Sequence, residues 1–143
     1  MQIGELARMA QCTVETVRYY EKEGLLPKPD RSAGNFRVYG PAHMERLRFV
    51  RNCRALDMSH EEIRSLLRLS EQDSDDCAAI NEVFDQHIAH VDERIRELAG
   101  LKAQLEALRQ RCSQQNAVNA CGILQGLADM ETETKPERHT HLG

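Results

Sequence analysis

The sequence predicts a mostly α protein: a front of short helices closed by a hairpin, then one long helix that must find a second helix to cover it. Three observations carry this. Gly, Pro and small polar residues punctuate the first 70 residues at short intervals. Apolar residues then recur at steps of three and four through the middle of the chain, the period of one helix face. That stripe also survives reversal almost unchanged.

The front reads in order as follows. Ile3-Gly4-Glu5-Leu6-Ala7 begins a short helix, and Cys12-Thr13 follows a tight turn. Thr13 can cap a second helix over 14–23, which Gly24 ends before Leu25-Leu26-Pro27. Two short helices so close together outline a helix-turn-helix. The second would expose Thr13, Glu15, Thr16 and Arg18 and turn Val14 and Val17 inward. Arg reads guanine or grips phosphate, and Thr and Tyr hydroxyls donate to phosphate. Taken alone, this segment fits an ordinary surface helix equally well.

Residues 31–39 read as a hairpin, with turn residues at Ser32-Ala33-Gly34-Asn35 and β-favouring Phe36, Val38 and Tyr39 after them. Arg31 and Arg37 flank the turn, as a wing that grips a backbone requires. Pro41 opens a third helix with a buried stripe of Met44, Leu47, Val50, Cys53 and Leu56. Ser59 and Glu62 form a capping box for a fourth helix carrying Ile63, Leu66 and Leu67. An acidic linker, 71–76, leads to the long helix, 78–111, which Asp76 can cap.

Phe84, Ile88, Val91, Ile95, Leu98, Leu101 and Leu105 make the long helix's stripe. A rod of this length, about 50 Å at ~1.5 Å per residue, cannot be wrapped by so short a chain. Facing position i with position 189 minus i pairs Phe84 with Leu105, Ile88 with Leu101 and Val91 with Leu98; Ile95 meets Arg94, one residue off. A self-complementary patch is what a two-fold antiparallel pair needs. The same reflection sets Cys77 opposite Cys112 of a second copy. The expected organisation is a head over 1–70, the linker, a dimerisation helix over 77–112, a loop and short helix over 113–128, and a flexible tail over 129–143.

Composition narrows the function. No apolar run approaches the ~20 residues that cross a bilayer, and the first residues lack a signal peptide's layout, so a cytoplasmic protein with no membrane role is expected. There, five cysteines read as thiols, some of them metal ligands, and not as structural disulfides. Residues 1–68 hold 12 Lys and Arg against 9 Asp and Glu, net +3, while 69–143 hold 7 against 14, net −7. A basic front with an acidic rear is a mild nucleic-acid signal. No nucleophile is paired with an oriented base, so no enzyme is expected.

Cys112 and Cys121 bracket a loop that a short helix over 122–127 follows, a plausible two-thiolate clamp. Cys77 of a second chain would raise the count to three, and sulfur-only sites favour Zn(II), Cd(II), Hg(II), Pb(II) or Cu(I). Cys53 falls on an apolar stripe and reads as a buried thiol; Cys12 receives no role. His87 and His90 share one helix face, and the tail carries His139 and His141. They form either a second metal site closed by the tail or, the commoner arrangement, a solvated helix beside a free tail.

Five blocks in order, Ile3-Gly4-Glu5-Leu6-Ala7, Thr16-Val17-Arg18-Tyr19-Tyr20-Glu21, Gly24-Leu25-Leu26-Pro27, Asn35-Phe36-Arg37-Val38-Tyr39 and Ile63-Arg64-Ser65-Leu66-Leu67, resemble the MerR family of transcriptional regulators. The resemblance covers nearly the whole chain. It implies a dimer with winged helix-turn-helix heads on double-stranded promoter DNA and an antiparallel coiled coil between them. It also implies that Thr16, Arg18, Tyr19, Tyr20, Arg31, Arg37 and Tyr39 lie at or near DNA, with Thr13, Glu15 and Asn35 beside them. The cysteine pattern resembles the divalent heavy-metal branch, responsive to cadmium, lead, zinc and mercury. Copper(I)-responsive members usually carry serine in place of Cys77. Cadmium-responsive members bear His-containing tails. The implied function is activation of a metal-resistance operon: Cd(II) or Pb(II), or else Zn(II) or Hg(II), binds Cys77, Cys112 and Cys121, and a palindromic operator is distorted so that RNA polymerase can use the promoter. A thiol redox switch and a metal-buffering protein are the alternatives.

Overall fold

The computed structural model describes residues 1–72, 76–112, 118 and 121–131. His139 and His141, most of the 113–120 loop and the centre of the linker lie outside these residues. The elements are α1 (Ile3–Met9), α2 (Val14–Lys22), β1 (Asp30–Arg31), β2 (Arg37–Val38), α3 (Pro41–Ala55), α4 (His60–Ser70), α5 (Ala78–Gln110) and α6 (Gly122–Asp129). The chain divides into two units, Met1–Val83 and Phe84–Gly143. Among the described residues no helix is long and apolar enough to cross a membrane.

The first unit is a winged helix-turn-helix. Thr13 caps α2, its hydroxyl accepting from the Thr16 amide at 3.1 Å. Gln11 (φ 57°) makes the turn between α1 and α2, and Arg51 from α3 holds that turn by donating to the Ala10 carbonyl at 2.9 Å. Gly24 ends α2 at φ 74°, a conformation that costs glycine little. The two strands pair antiparallel, Asp30 opposite Val38 and Arg31 opposite Arg37. Asn35 takes the left-handed position (φ 64°) that closes the turn.

Two apolar clusters hold this unit together. One joins Leu6, Ala7, Ala10, Val17, Leu26, Tyr39 and Leu47; the other joins Leu25, Val50, Cys53, Met58, Ile63, Leu66 and Leu67, with Ile80 and Val83 against it. Each large apolar side chain so buried contributes roughly 1.5–3 kcal/mol. Since α3 supplies Leu47 to one cluster and Val50 and Cys53 to the other, it is the spine of the head. Arg64 adds a polar tie from α4 to the end of α2, donating to the Glu23 carbonyl (2.8 and 3.1 Å) and carboxylate (2.8 Å).

Leu56 corrects the expected stripe of the third helix. The helix stops at Ala55, and Leu56 is the cap before the turn at Asp57 (φ 59°), so its side chain is 60% exposed. The inward position that periodicity overlooked is His43. Its Nδ1 accepts from the Gly40 amide at 3.0 Å and so closes the start of α3. Cys53 is buried, as expected of a core thiol, and burial pushes its pKa up.

In the second unit the stripe of α5 stands open to solvent. Phe84, Ile88, Ile95, Leu98, Leu101 and Leu105 are each 40% exposed or more. At the far end α6 lies against α5 because two glycines allow it. A Cβ on Gly122 would meet the Arg111 carbonyl oxygen, and one on Gly126 would meet Leu108 Cδ2 at 2.8 Å. Asp76 meets the start of α5, accepting from the Ala78 amide at 2.9 Å.

The Ser59–Glu62 box is complete: the Glu62 amide donates to Ser59 Oγ at 3.1 Å and the Ser59 amide to Glu62 Oε1 at 2.8 Å. Ser59→Ala is therefore expected to cost about 1 kcal/mol, read as a lower urea midpoint at an unchanged slope.

Candidate nucleic-acid interface and thiol site

The outer face of α2 and the wing enclose a basic hollow of about 600 Å³. Arg18 and Lys22 from α2, Lys28 from the Pro-flanked loop, and Arg31 and Arg37 from the strands line it, with Glu21 as the single acid. Five cations on one concave surface are the electrostatic footprint of a phosphate backbone. Glu21 does not offset them freely. Its Oε1 accepts from the Tyr39 hydroxyl at 2.5 Å, and its Oε2 from Arg37 Nη1 at 3.3 Å. Arg31 reaches the Asn35 carbonyl at 3.2 Å, stiffening the wing's tip.

The residues expected at DNA fall into two groups. Thr13, Glu15, Arg18, Tyr19, Arg31, Asn35 and Arg37 are exposed and Thr16 half-buried, so all can meet a ligand on this side of the head. Tyr39 is 1% exposed and belongs to the core; its place is to fasten the wing to α2, and burial, then the Glu21 hydrogen bond, pushes its phenol up to about 12. Tyr20 is half-buried and touches both clusters. The Tyr19 hydroxyl sits 3.4 Å from His60 Nδ1, with rings 5.5 Å apart. Burial, then Arg54 and Arg64, hold the His60 imidazole below its ordinary value.

Lys22 and Lys28 complete the hollow and were not among the expected contacts. The signal was present in the sequence: Lys22 lies one helical turn after Arg18, and Lys28 stands between Pro27 and Pro29.

The three cysteines take distinct positions. Cys77 is exposed immediately before α5, Cys112 follows its far end, and Cys121 is the N-cap of α6. Cys112 and Cys121 are hydrogen-bonded to each other. That bond, ahead of burial, raises the Cys112 thiol. The amides of Leu124 and then Ile123, facing Cys121 from the first turn of α6 without a full capping bond, lower the Cys121 thiol. The two thiols are thus pushed in opposite directions, Cys112 up and Cys121 down. Cys77 of the same chain is separated from them by all 33 residues of α5, about 50 Å of helix.

Arg109 fixes this end of α5, its Nη1 donating to the Cys112 carbonyl at 2.8 Å. His87 and His90 stand side by side on α5, ring centroids 6.4 Å apart at right angles, His87 buried and His90 exposed.

Comparison with known proteins agrees with this geometry. Residues 1–70 match the family described as MerR HTH family regulatory protein, and residues 44–108 match the one described as MerR, DNA binding. The chain is 50% identical over 111 residues to the HTH-type transcriptional regulator ZntR homolog of Haemophilus influenzae, covering 78% of this chain and 82% of that protein. It is similar to the solved transcription regulator PbrR691 from Ralstonia metallidurans CH34 in complex with lead(II), at 48% identity and TM-score 0.80, over 89% of this chain and 98% of that one. It is also similar to the transcriptional regulator MerR of Bacillus megaterium MB1 in complex with mercury(II), at 26% identity and TM-score 0.73, over 90% and 100% of the two chains. A head with this basic hollow, matched along its whole length and joined to a long helix that the second match reaches, places the chain in the MerR family of helix-turn-helix transcription regulators.

Proposed function

We propose that this regulator responds to a soft divalent metal ion, Pb(II) or Cd(II) first and Zn(II) or Hg(II) next, bound by Cys112 and Cys121 of one chain and Cys77 of its dimer partner. The observation that carries the reading is the fold-back of α6 onto the end of α5, with Gly122 against the Arg111 carbonyl, which brings Cys121 beside Cys112; the start of α6 also lowers the Cys121 thiol. All-sulfur donors suit soft cations, and the relatives crystallised with lead(II) and mercury(II) support the same class.

The dimer follows from α5. Its exposed stripe needs a helix, and its charges choose the direction. Positions 78–93 hold Glu82, Asp85, Asp92 and Glu93 with no Lys or Arg, whereas 94–110 hold Arg94, Arg96, Lys102 and Arg109 against Glu97 and Glu106. The helix dipole does not account for this split, because the first turn has no acid and dipole effects fade beyond the end turns. Antiparallel pairing sets each acidic half against the partner's basic half; parallel pairing sets like against like.

Each protomer's thiol pair then lies beside the start of the partner's α5. A metal that joins the two fixes one dimer geometry over others, and a few kcal/mol of preference is enough to move a two-state equilibrium. The heads, gripping phosphates through Arg18, Lys22, Lys28, Arg31 and Arg37, carry that change to a palindromic promoter. There they distort the duplex for RNA polymerase and so activate a metal-resistance operon. His87 and His90 are candidates for a second metal site, with His139 and His141 of the tail. A dithiol redox switch is the second reading. The observation in its favour is the same pair, since two neighbouring thiols close to a disulfide when an external oxidant, such as a peroxide or a disulfide, takes up their two electrons.

Two measurements test this. Titration of the reduced dimer with Cd(II) and Pb(II), followed by the thiolate-to-metal absorption band, should give one strong site per chain, crippled in Cys77→Ser; a site indifferent to Cys77 overturns the assignment. Metal must also displace the proton that Cys112, raised by its bond to Cys121, holds at neutral pH. Affinity should therefore rise with pH, by about tenfold per unit for each proton displaced. An affinity that is flat between pH 6 and 8 contradicts the thiol pair as ligand.

A further inference from the structure

Among the described residues the basic hollow is lined by one carboxylate, and that carboxylate is fully engaged. Glu21 projects from the recognition helix α2, and its side chain is only 12% exposed. Its two oxygens hold two different residues at the wing: Oε1 takes the hydroxyl of Tyr39, which follows β2, and Oε2 takes Arg37 within β2. Tyr39 itself is seated in the first apolar cluster with Leu6, Val17 and Leu47. Glu21 is thus the point where the helix, the wing and the core meet.

The geometry points to Glu21 as a positioning and specificity-determining residue: it clamps the wing to the recognition helix and stands as a fixed anion against any polyanion that enters the hollow. This rests on the reading of the hollow as the DNA interface and adds a role for a residue that need not touch DNA.

The two effects act differently on different duplexes. Arg18, Lys22, Lys28, Arg31 and Arg37 attract every phosphate backbone alike, because backbone contacts carry no sequence information. The Glu21 charge opposes that attraction equally for all sequences. The clamp is selective, since a fixed distance between α2 and the wing favours only a duplex whose backbone reaches both at once. A duplex that fits gains from the pre-set geometry, and one that does not gains nothing. A partly buried anion in the hollow therefore weakens random binding while the tether preserves specific binding, and the two together widen the ratio between them.

Two nearly isosteric variants separate the charge from the tether. Glu21→Gln keeps an oxygen to accept from Tyr39, but it removes the charge and presents an amide that cannot accept from Arg37. Tyr39→Phe leaves the carboxylate with Arg37 and removes one tether. Binding of the full-length dimer is measured over a range of salt to two DNAs: a duplex that the wild type selects from a random pool, and a scrambled duplex of equal length. For Glu21→Gln the scrambled duplex should bind roughly two- to fivefold tighter, the range spanned by a partly exposed ion pair. Its log-affinity against log-salt slope should steepen by about one, and the selected-to-scrambled ratio should fall. Tyr39→Phe should leave the slope unchanged and lower the ratio. A merely structural role does not steepen a salt slope. If Glu21→Gln leaves the scrambled affinity and slope unchanged, or weakens both duplexes together, the clamp is overturned while the DNA reading stands. If the wild type selects no duplex, the DNA reading falls and the clamp falls with it.

Discussion

A helix of 33 residues with an apolar stripe that stands exposed among the described residues is the constraint on which the rest depends. Six large apolar side chains in water, each worth on the order of 1.5 kcal/mol or more on burial, make the isolated chain an incomplete object. The same helix separates Cys77 from Cys112 by its full length. A site that needs both must be built between chains, and a ligand of that site is then bound to the state of the dimer itself. Under the proposed shared site, sensing and assembly become one equilibrium, in which a metal acts on the arrangement of two chains and not on the fold of either.

The head is tied together across its elements. Its helices share α3, which contributes to both apolar clusters, and its polar ties run between elements: Arg51 to the helix-helix turn, Arg64 to the end of α2, Glu21 to the wing. The residues proposed to face a duplex thus sit on elements tied to one another. At the other end, α6 is brought to α5 by two glycines one turn apart, and its first amides are turned to a sulfur. Backbone geometry there does chemical work that a side-chain inventory does not display.

Periodicity and turn chemistry made most of the fold legible. Thr13, Gly24, Pro41, Ser59 and Asp76 mark helix ends because caps and breakers act locally, and the structure puts each at or beside a helix end. Where the reading failed, tertiary context decided. Leu56 continues the stripe of α3 by spacing, yet the helix has already ended, and the residue is exposed. His43 is polar by type but buried, because its ring closes the helix start. Tyr39 resembles a surface contact by its motif and proves to be core, since only the folded wing brings it over Leu6 and Val17. For the proposed thiol site, the loop between Cys112 and Cys121 suggested a clamp. The lowering of the Cys121 thiol was not legible, because it depends on where α6 points its amides. Lys22 and Lys28 escaped because a cation declares its purpose only once four others surround it.

The central claim is that one metal site is shared between two antiparallel chains. The most direct measurement mixes a Cys77→Ser chain with a Cys112→Ser chain, purifies the mixed dimer and titrates it with Cd(II). In the shared arrangement, Cys112 and Cys121 of the first chain meet the intact Cys77 of the second, so the mixed dimer should recover one full-strength site although neither parent has any. If the mixed dimer binds no better than its parents, each site is built within a single chain, and metal binding is not the link between the two protomers.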